Sequence, residues 1–152
     1  MPYWRLHYHG IWACKNREPL ITAELEPELY QYLRGKSKEL GAIVHAVGGI
    51  EDHIHIVFSL PLKYALDDFI GKLKGASSHW VKHVLHYPGE FDWQRGYGVL
   101  SYAGRNLKNV ISCVCGQKEH HRNQTVNEML ERWDEEEDGV EMIRDETEFC
   151  LQ

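Results

Sequence analysis

The stretch GGIEDHIHIVFSLP, residues 48–61, decides the fold of this chain. Its apolar run from Ile54 to Leu60 is rich in β-branched residues and ends before a proline, which is typical of a strand buried on at least one face. The two leading glycines, followed by two acidic residues, are typical of a turn. We therefore predict a β-hairpin in which this strand follows a short apolar strand over residues 42–47.

Two histidines, His53 and His55, flank one apolar residue at the start of that strand. Because strand side chains alternate between faces, both imidazoles project to the same side, about 6–7 Å apart along the backbone. At that spacing they can bind one divalent ion, although two histidines could equally form the polar face of a half-exposed strand. The spacing alone leaves both interpretations open.

Length and composition narrow the class of protein. The chain has 152 residues, 43% of them apolar, which is enough for one domain with a buried core. No apolar run approaches the roughly 18 residues of a membrane span, and no charged-then-apolar leader opens the chain. The four cysteines show no zinc-ribbon spacing. We therefore expect a reduced cytoplasmic protein.

The net charge of −6 is unevenly distributed along the chain. Residues 1–122 carry 15 Lys and Arg against 12 Asp and Glu, whereas residues 123–152 carry 2 basic and 11 acidic side chains. A mildly basic body therefore bears an acidic tail, so nucleic acid is not excluded as a partner of the body. We predict one domain over residues 1–124, followed by a short helix and an acidic segment over residues 125–152 with a composition typical of disorder.

Hydrophobic periodicity predicts the elements around the hairpin. They are a strand over residues 4–14, a helix from a Thr22 N-cap to Gly41, a long helix from residue 66 to about residue 87, a strand over residues 96–102, and a last helix that begins at Arg105 or Asn106 and continues through Gln117. This order predicts an α+β, ferredoxin-like (βαββαβ) fold: a four-stranded antiparallel sheet with helices on one face, plus a C-terminal helix. Strands one and three are central in that topology. The histidine pair is therefore expected mid-sheet, and a nucleic acid could lie on the face away from the helices.

Several motifs together resemble those of a known family. They are HAVGG at residues 45–49, HIH at residues 53–55, LKGASS at residues 73–78, FDWQRGYG at residues 91–98 and QKEHH at residues 117–121. In this combination the chain resembles the HUH single-tyrosine transposases, the small enzymes of single-strand insertion sequences and their REP-associated relatives. The agreement runs over most of residues 3–122.

The resemblance implies a homodimer that binds single-stranded DNA, often as a hairpin, and that associates with the nucleoid. It also implies a divalent cation, Mg or Mn, held by His53, His55 and Gln117. In this family a tyrosine one helical turn before the glutamine attacks the scissile phosphate, which gives a 5′-phosphotyrosine link and a free 3′-OH.

The position four residues before Gln117 is Cys113, and the last helix contains no tyrosine. Tyr102 ends the preceding strand and could reach the site only through rearrangement. Cys113 takes the nucleophile's place, but its attack on a phosphodiester would set a soft sulfur beside a hard ion and expel a poor alkoxide leaving group. We therefore predict that strand cleavage is impaired in this chain.

Three functions remain open at this point. The chain could be a transposase with impaired cleavage, a hairpin-binding module without catalytic activity, or a metal-dependent phosphoesterase in which His53, His55 and Gln117 activate water. A covalent protein–DNA adduct distinguishes the first from the second, and hydrolysis without an adduct indicates the third.

Basic and aromatic residues supply candidate contacts with DNA. The basic candidates are Lys15, Arg17, Lys72, Lys74, Arg95 and Arg105. Each could also be an ordinary surface residue. Trp93 and Tyr97 could stack on bases or pack in the core, and His120 and His121 could assist the metal or contact phosphate.

Overall fold

The computed structural model describes residues 2–122 of the chain. Its strands are β1 (His7–Ala13), β2 (Ile43–Ile50), β3 (His53–Ser59) and β4 (Gly98–Tyr102), and its helices are α1 (Leu25–Glu39), α2 (Leu66–His79), α3 (Leu107–Cys115) and α4 (Gln117–Arg122). A π-helical turn, Trp80–Val84, extends α2. The short helix and acidic segment predicted over residues 125–152 lie outside the described residues, so the domain boundary at residue 124 stays a prediction.

The four strands form one antiparallel sheet in the order β2-β3-β1-β4. This arrangement, with its helices, confirms the prediction of an α+β ferredoxin-like fold. β1 and β3 are the central strands, and His55 lies opposite Ile11 on one side and Gly48 on the other. The histidine strand is therefore in the middle of the sheet, as the order of elements predicts.

One face of the sheet packs against α1 and α2 and forms the main core. Ile54, Ile56 and Phe58 of β3 are fully buried there, since alternate residues of a strand share a face. The helices contribute Leu25, Leu29, Leu33, Phe69, Ile70 and Leu73. Burial of each large apolar side chain stabilises the fold by about 1.5–3 kcal/mol, so these residues hold β3 firmly against the helices.

The hairpin turn differs from the prediction. Gly48 and Gly49 lie inside β2, paired with β3, and the two-residue turn is formed by Glu51 and Asp52. A Cβ atom at Gly48 would collide with the carbonyl oxygen of Val114 in α3, and Gly49 has φ 151°, which favours glycine. The prediction of a turn at the glycines was wrong. Gly48 instead allows the backbone of α3 to come close, and Gly49 allows an unusual backbone conformation within β2.

The helix boundaries agree with the prediction in part. Thr22 Oγ1 accepts a hydrogen bond from the backbone N–H of Leu25 at 3.3 Å, although α1 itself begins at that leucine. Gly41 follows α1 with φ 92°, the left-handed conformation of a helix stop, as predicted. The last helix was predicted to be continuous, but it breaks at Gly116, where φ is −93° and ψ is 12°.

α3 lies on the opposite face of the sheet from α1 and α2. Ala46, Val57, Val110 and Val114 form a small buried cluster between α3 and the sheet. The expectation of an open sheet face was therefore wrong where α3 crosses it. The same face carries the histidines, because His53 and His55 alternate with the core residues of β3.

We predict that Gly48→Ala lowers the free energy of unfolding by about 1–3 kcal/mol, since the new methyl group forces the backbones of β2 and α3 apart. Urea denaturation measures the change. Gly71→Ala is the matched control, because Gly71 is exposed in α2 and its added Cβ would meet nothing within 4 Å. That control should gain up to about 1 kcal/mol from helix propensity. Equal stability of Gly48→Ala and the native protein would contradict the close approach of α3.

Candidate metal and DNA-binding site

The two candidate ligand histidines lie side by side on the face of the sheet that α3 crosses. His53 and His55 are both fully buried, and their ring centroids are 5.0 Å apart with an interplanar angle of 69°. The side chains therefore share one face, as the alternation predicts. Neither histidine belongs to a half-exposed polar face, so the structure excludes that alternative interpretation.

Asp52 fixes the orientation of His53. The Asp52 carboxylate lies 2.6 Å from His53 Nδ1 and also forms an ion pair with Arg17 at 3.3 Å. Burial favours the neutral form of this carboxyl group, but the hydrogen bond from His53 and the nearby positive charges outweigh burial, so the pKa of Asp52 lies below its ordinary value. A carboxylate at neutral pH accepts the Nδ1 proton, which directs Nε2 of His53 away from Asp52.

His9, a residue that sequence analysis missed, contacts His55 in the same manner. His9 Nε2 lies 2.8 Å from His55 Nδ1, and the two ring planes differ by only 13°. Both residues are buried. The Tyr102 hydroxyl lies 3.4 Å from His9 Nδ1 on the other side of the ring. Alternating histidines at positions 7 and 9 of the first strand were the available signal, but the register between β1 and β3 is not visible in the sequence.

α4 brings two further side chains to this region. Gln117 is buried, and its Nε2 donates to the carbonyl oxygen of Cys113 at 3.1 Å. Gln117 Oε1 is buried and forms no hydrogen bond with the residues that the structure describes. His121 follows one helical turn later, and its ring centroid is 5.0 Å from that of His53. Since residues four apart share a helix face, Gln117 lies on the side of α4 that carries His121, the residue beside His53.

Cys113 lies in α3 one turn before Gln117, as predicted, and is buried. The side chain of His120 lies outside the described residues. Tyr102 is on the correct sheet face but is separated from His55 by the ring of His9.

The set of donor atoms fits a divalent cation. Among residues 2–122, no three His, Cys, Asp or Glu side chains form a metal-binding cluster, so a site at the two imidazoles would need a ligand of another type, such as the amide oxygen of Gln117. Each imidazole has its Nδ1 atom hydrogen-bonded, which is the usual arrangement of histidines that bind metal through Nε2. Substrate or water oxygens would supply the remaining ligands.

The structure does not bring the six basic DNA candidates together. Arg17 approaches the site through its ion pair with Asp52. Lys72 and Lys74 lie on α2, which covers the other face of the sheet, and Lys74 donates to two backbone carbonyls of the loop before β4. The remaining candidates, Lys15, Arg95 and Arg105, are exposed. Contact with DNA stays a prediction for all six.

The aromatic candidates for base stacking take part in packing. Trp93 is buried, and its Nε1 donates to Ser77 Oγ at 2.9 Å. The Tyr97 hydroxyl donates to Asp67 at 2.6 Å, and burial together with this bond raises the pKa of Tyr97 to about 12. The core interpretation is therefore correct for Trp93.

A second group of imidazoles lies at the other end of β3, on the same face. His7 Nδ1 and His45 Nε2 each lie 2.7 Å from the hydroxyl oxygen of Ser59. Burial and the charge of His7 lower the pKa of His45 below its ordinary value. The folded protein therefore favours the neutral form of this side chain.

No helix among residues 2–122 is long and apolar enough to cross a membrane.

Comparisons with known proteins agree with the motifs. The family model described as "Transposase IS200 like" matches residues 2–117. The ISDra2 transposase TnpA of Deinococcus radiodurans is 29% identical over 135 residues, which covers 88% of each protein. The transposase for insertion sequence element IS200 of Salmonella typhimurium is 26% identical over 124 residues and covers 78% of this chain and 81% of the relative.

Solved structures agree as well. The crystal structure of a candidate transposase from Deinococcus radiodurans matches with a TM-score of 0.60 and 25% identity, over 82% of this chain and 95% of that protein. A REP-associated tyrosine transposase bound to a REP hairpin matches with a TM-score of 0.57 and 12% identity, over 83% of this chain and 76% of that protein. At 12% identity the second match shows the shared fold alone.

We predict that acid weakens the fold through His45. The pKa of His45 is lower in the folded state than in the unfolded state. The contribution of the neutral side chain to the free energy of unfolding is therefore fully present above about pH 6.5 and is lost as the pH falls through that value. Chemical denaturation from pH 8 to pH 5 should show a smaller loss of stability in His45→Gln than in the native protein. Above pH 7.5 the difference in the free energy of unfolding between the two proteins should not change with pH. Parallel curves over the whole range would contradict this role.

Proposed function

This chain belongs to the IS200-like transposase family, and we propose that it binds single-stranded, hairpin-forming DNA beside a divalent cation but has lost strand cleavage through a helix-borne tyrosine. The observation that carries the proposal is the buried pair His53 and His55, each hydrogen-bonded at Nδ1, with His53 beside His121 of α4 in the same chain. Such an arrangement has little structural purpose in a core that apolar side chains could fill.

We propose that His53, His55 and Gln117 hold Mg²⁺ or Mn²⁺. The amide oxygen of Gln117, whose buried Oε1 lacks a hydrogen-bond partner among residues 2–122, is a ligand that suits Mg²⁺ and Mn²⁺, and phosphate and water oxygens would supply the others. When bound, the cation would polarise the scissile phosphate and offset its developing charge. Asp52 and His9 orient the two imidazoles, and α3 shields this part of the sheet from water.

DNA recognition is supported by the charge of the body and by the fold. Residues 1–122 are mildly basic, and a neighbour with the same fold was solved with a bound hairpin, so the fold can accommodate such a ligand. Arg17 pairs with Asp52, the residue that is hydrogen-bonded to His53, so we propose Arg17 as a phosphate contact. Lys15, Lys72, Lys74, Arg95 and Arg105 remain further candidates, and association with the nucleoid would follow from DNA binding.

We also propose that the protein forms a homodimer, as the resemblance implies. α3 and α4 lie on the sheet of their own chain, so each subunit would carry its own His53, His55 and Gln117. The dimer would then serve to bind two DNA segments at once rather than to complete each site.

Loss of cleavage follows from the groups near the site. The scissile phosphorus needs an oxygen nucleophile in line with the leaving 3′ oxygen, and a tyrosine phenol supplies it in the family. Cys113 replaces that phenol with sulfur, a poor match for phosphate beside a hard cation. Tyr102 cannot substitute, because the rings of His9 and His55 separate its hydroxyl from the metal-facing Nε2 of His55.

We predict that Cys113→Tyr restores covalent chemistry. The native protein and the variant would be incubated with Mn²⁺ and single-stranded DNA from the hairpin ends of the element, then run on a denaturing gel. Only the variant should form a protein–DNA adduct, because it alone presents a phenol one turn before Gln117. Cys113→Phe is the matched control, since it adds the ring without the hydroxyl.

The other outcomes separate the alternatives. An adduct with the native protein would contradict the loss of cleavage. Absence of an adduct with every variant, despite DNA binding, would indicate a binding module that has lost more than one catalytic group. Metal-dependent hydrolysis of DNA without an adduct would support a water-using phosphoesterase instead.

A further inference from the structure

We propose that His9 is a positioning residue for the metal site, and that the hydrogen-bonded series Tyr102–His9–His55 sets the tautomer and the ring plane of His55. This inference rests on the proposed metal site. Asp52 does the same for His53, so each candidate ligand has its own supporting residue. The two supporting residues differ in chemistry, because Asp52 carries a carboxylate and His9 an imidazole. This difference is the reason why Tyr102 also has a role.

The geometry indicates a well-formed hydrogen bond between two imidazoles. The nitrogens are 2.8 Å apart, the ring centroids 4.9 Å apart, and the ring planes 13° apart. Such values describe two rings that meet edge to edge in nearly one plane. Because a neutral imidazole has one donor and one acceptor nitrogen, a hydrogen bond between two neutral rings places one proton between His9 Nε2 and His55 Nδ1.

The residue that donates this proton decides whether His55 can bind a metal. If His55 Nδ1 donates, its Nε2 carries a lone pair that can bind a cation. If His9 Nε2 donates, His55 must carry its own proton on Nε2, and that nitrogen cannot act as a ligand. A carboxylate can only accept, so Asp52 settles this choice for His53, whereas His9 can play either part.

Tyr102 can complete the direction that leaves His55 able to bind a metal. When His9 accepts at Nε2 from His55, its own proton lies on Nδ1 and points to the Tyr102 hydroxyl, 3.4 Å away. In the proposed arrangement the phenolic oxygen accepts that proton, so all the donors run in one direction from His55 to His9 to Tyr102. Because a hydroxyl can also donate, the opposite direction is chemically possible, and the tautomer of His55 distinguishes the two. Since His9 and His55 are both buried, bulk water cannot easily replace either bond.

The first measurement is the affinity of the full-length protein for Mn²⁺. Binding is monitored through the electron paramagnetic resonance signal of free Mn²⁺. His9→Phe removes the acceptor and should weaken binding roughly 10–100-fold, the usual effect of losing a residue that supports a metal ligand. His9→Gln should bind more tightly than His9→Phe, because its amide oxygen can accept from His55 Nδ1. His79→Ala is a control, since this exposed histidine lies on α2 and should not change the affinity.

The second measurement is the tautomer of His55 in the metal-free protein, observed by ¹⁵N NMR of the histidine rings. We expect the proton on Nδ1 in the native protein and a mixture of tautomers in Tyr102→Phe, which lacks only one oxygen atom. A structural role alone would not move this signal. The Tyr102 variant also keeps the test available if His9→Phe fails to fold.

Two results would overturn the inference: an unchanged Mn²⁺ affinity in folded His9→Phe, or an Nε2-protonated His55 in the native protein. A different result would overturn the metal site itself. If the native protein binds Mn²⁺ no better than His53→Ala, the proposed metal function fails, while the tautomer measurement still decides the role of His9.

Discussion

The close approach of α3 to β2 at Gly48 is the constraint on which the site depends. The carbonyl oxygen of Val114 fills the space that any other residue would need for its side chain. Gly48 is paired with His55, so the crossing point is fixed relative to the histidine strand. α4 begins only three residues beyond Val114, and this short distance brings Gln117 and His121 towards the histidines.

A single strand supports both the core and the site. The side chains of Ile54, Ile56 and Phe58 anchor β3 against α1 and α2, and the intervening positions present His53 and His55 to α3 and α4. The candidate ligands therefore stand on a strand in which every residue is buried. Their supporting residues come from the neighbouring strand and the turn, so the orientation of each imidazole is set by a separate element.

Sequence analysis predicted the features that depend on local pattern. The β-branched apolar run from Ile54 to Leu60 identified a strand, and the alternation of strand side chains predicted that His53 and His55 share a face. The order of elements predicted the sheet and the central place of this strand. Features that depend on contacts between distant segments were not predictable. The partnership of His9 with His55 requires the register of β1 against β3, and the role of Gly48 requires knowledge of where α3 crosses. Charge alone also could not show that Lys74 binds backbone carbonyls and that Arg17 pairs with Asp52.

The most direct test of this account is an anomalous diffraction measurement on crystals grown with Mn²⁺, at a wavelength near the manganese absorption edge. We expect one strong peak within coordination distance of His53 Nε2, His55 Nε2 and Gln117 Oε1, all from the same chain. A peak at any other group of side chains would contradict the proposed metal site. A glutamine supplied by another copy of the protein would contradict the claim that α3 and α4 complete the site within one chain.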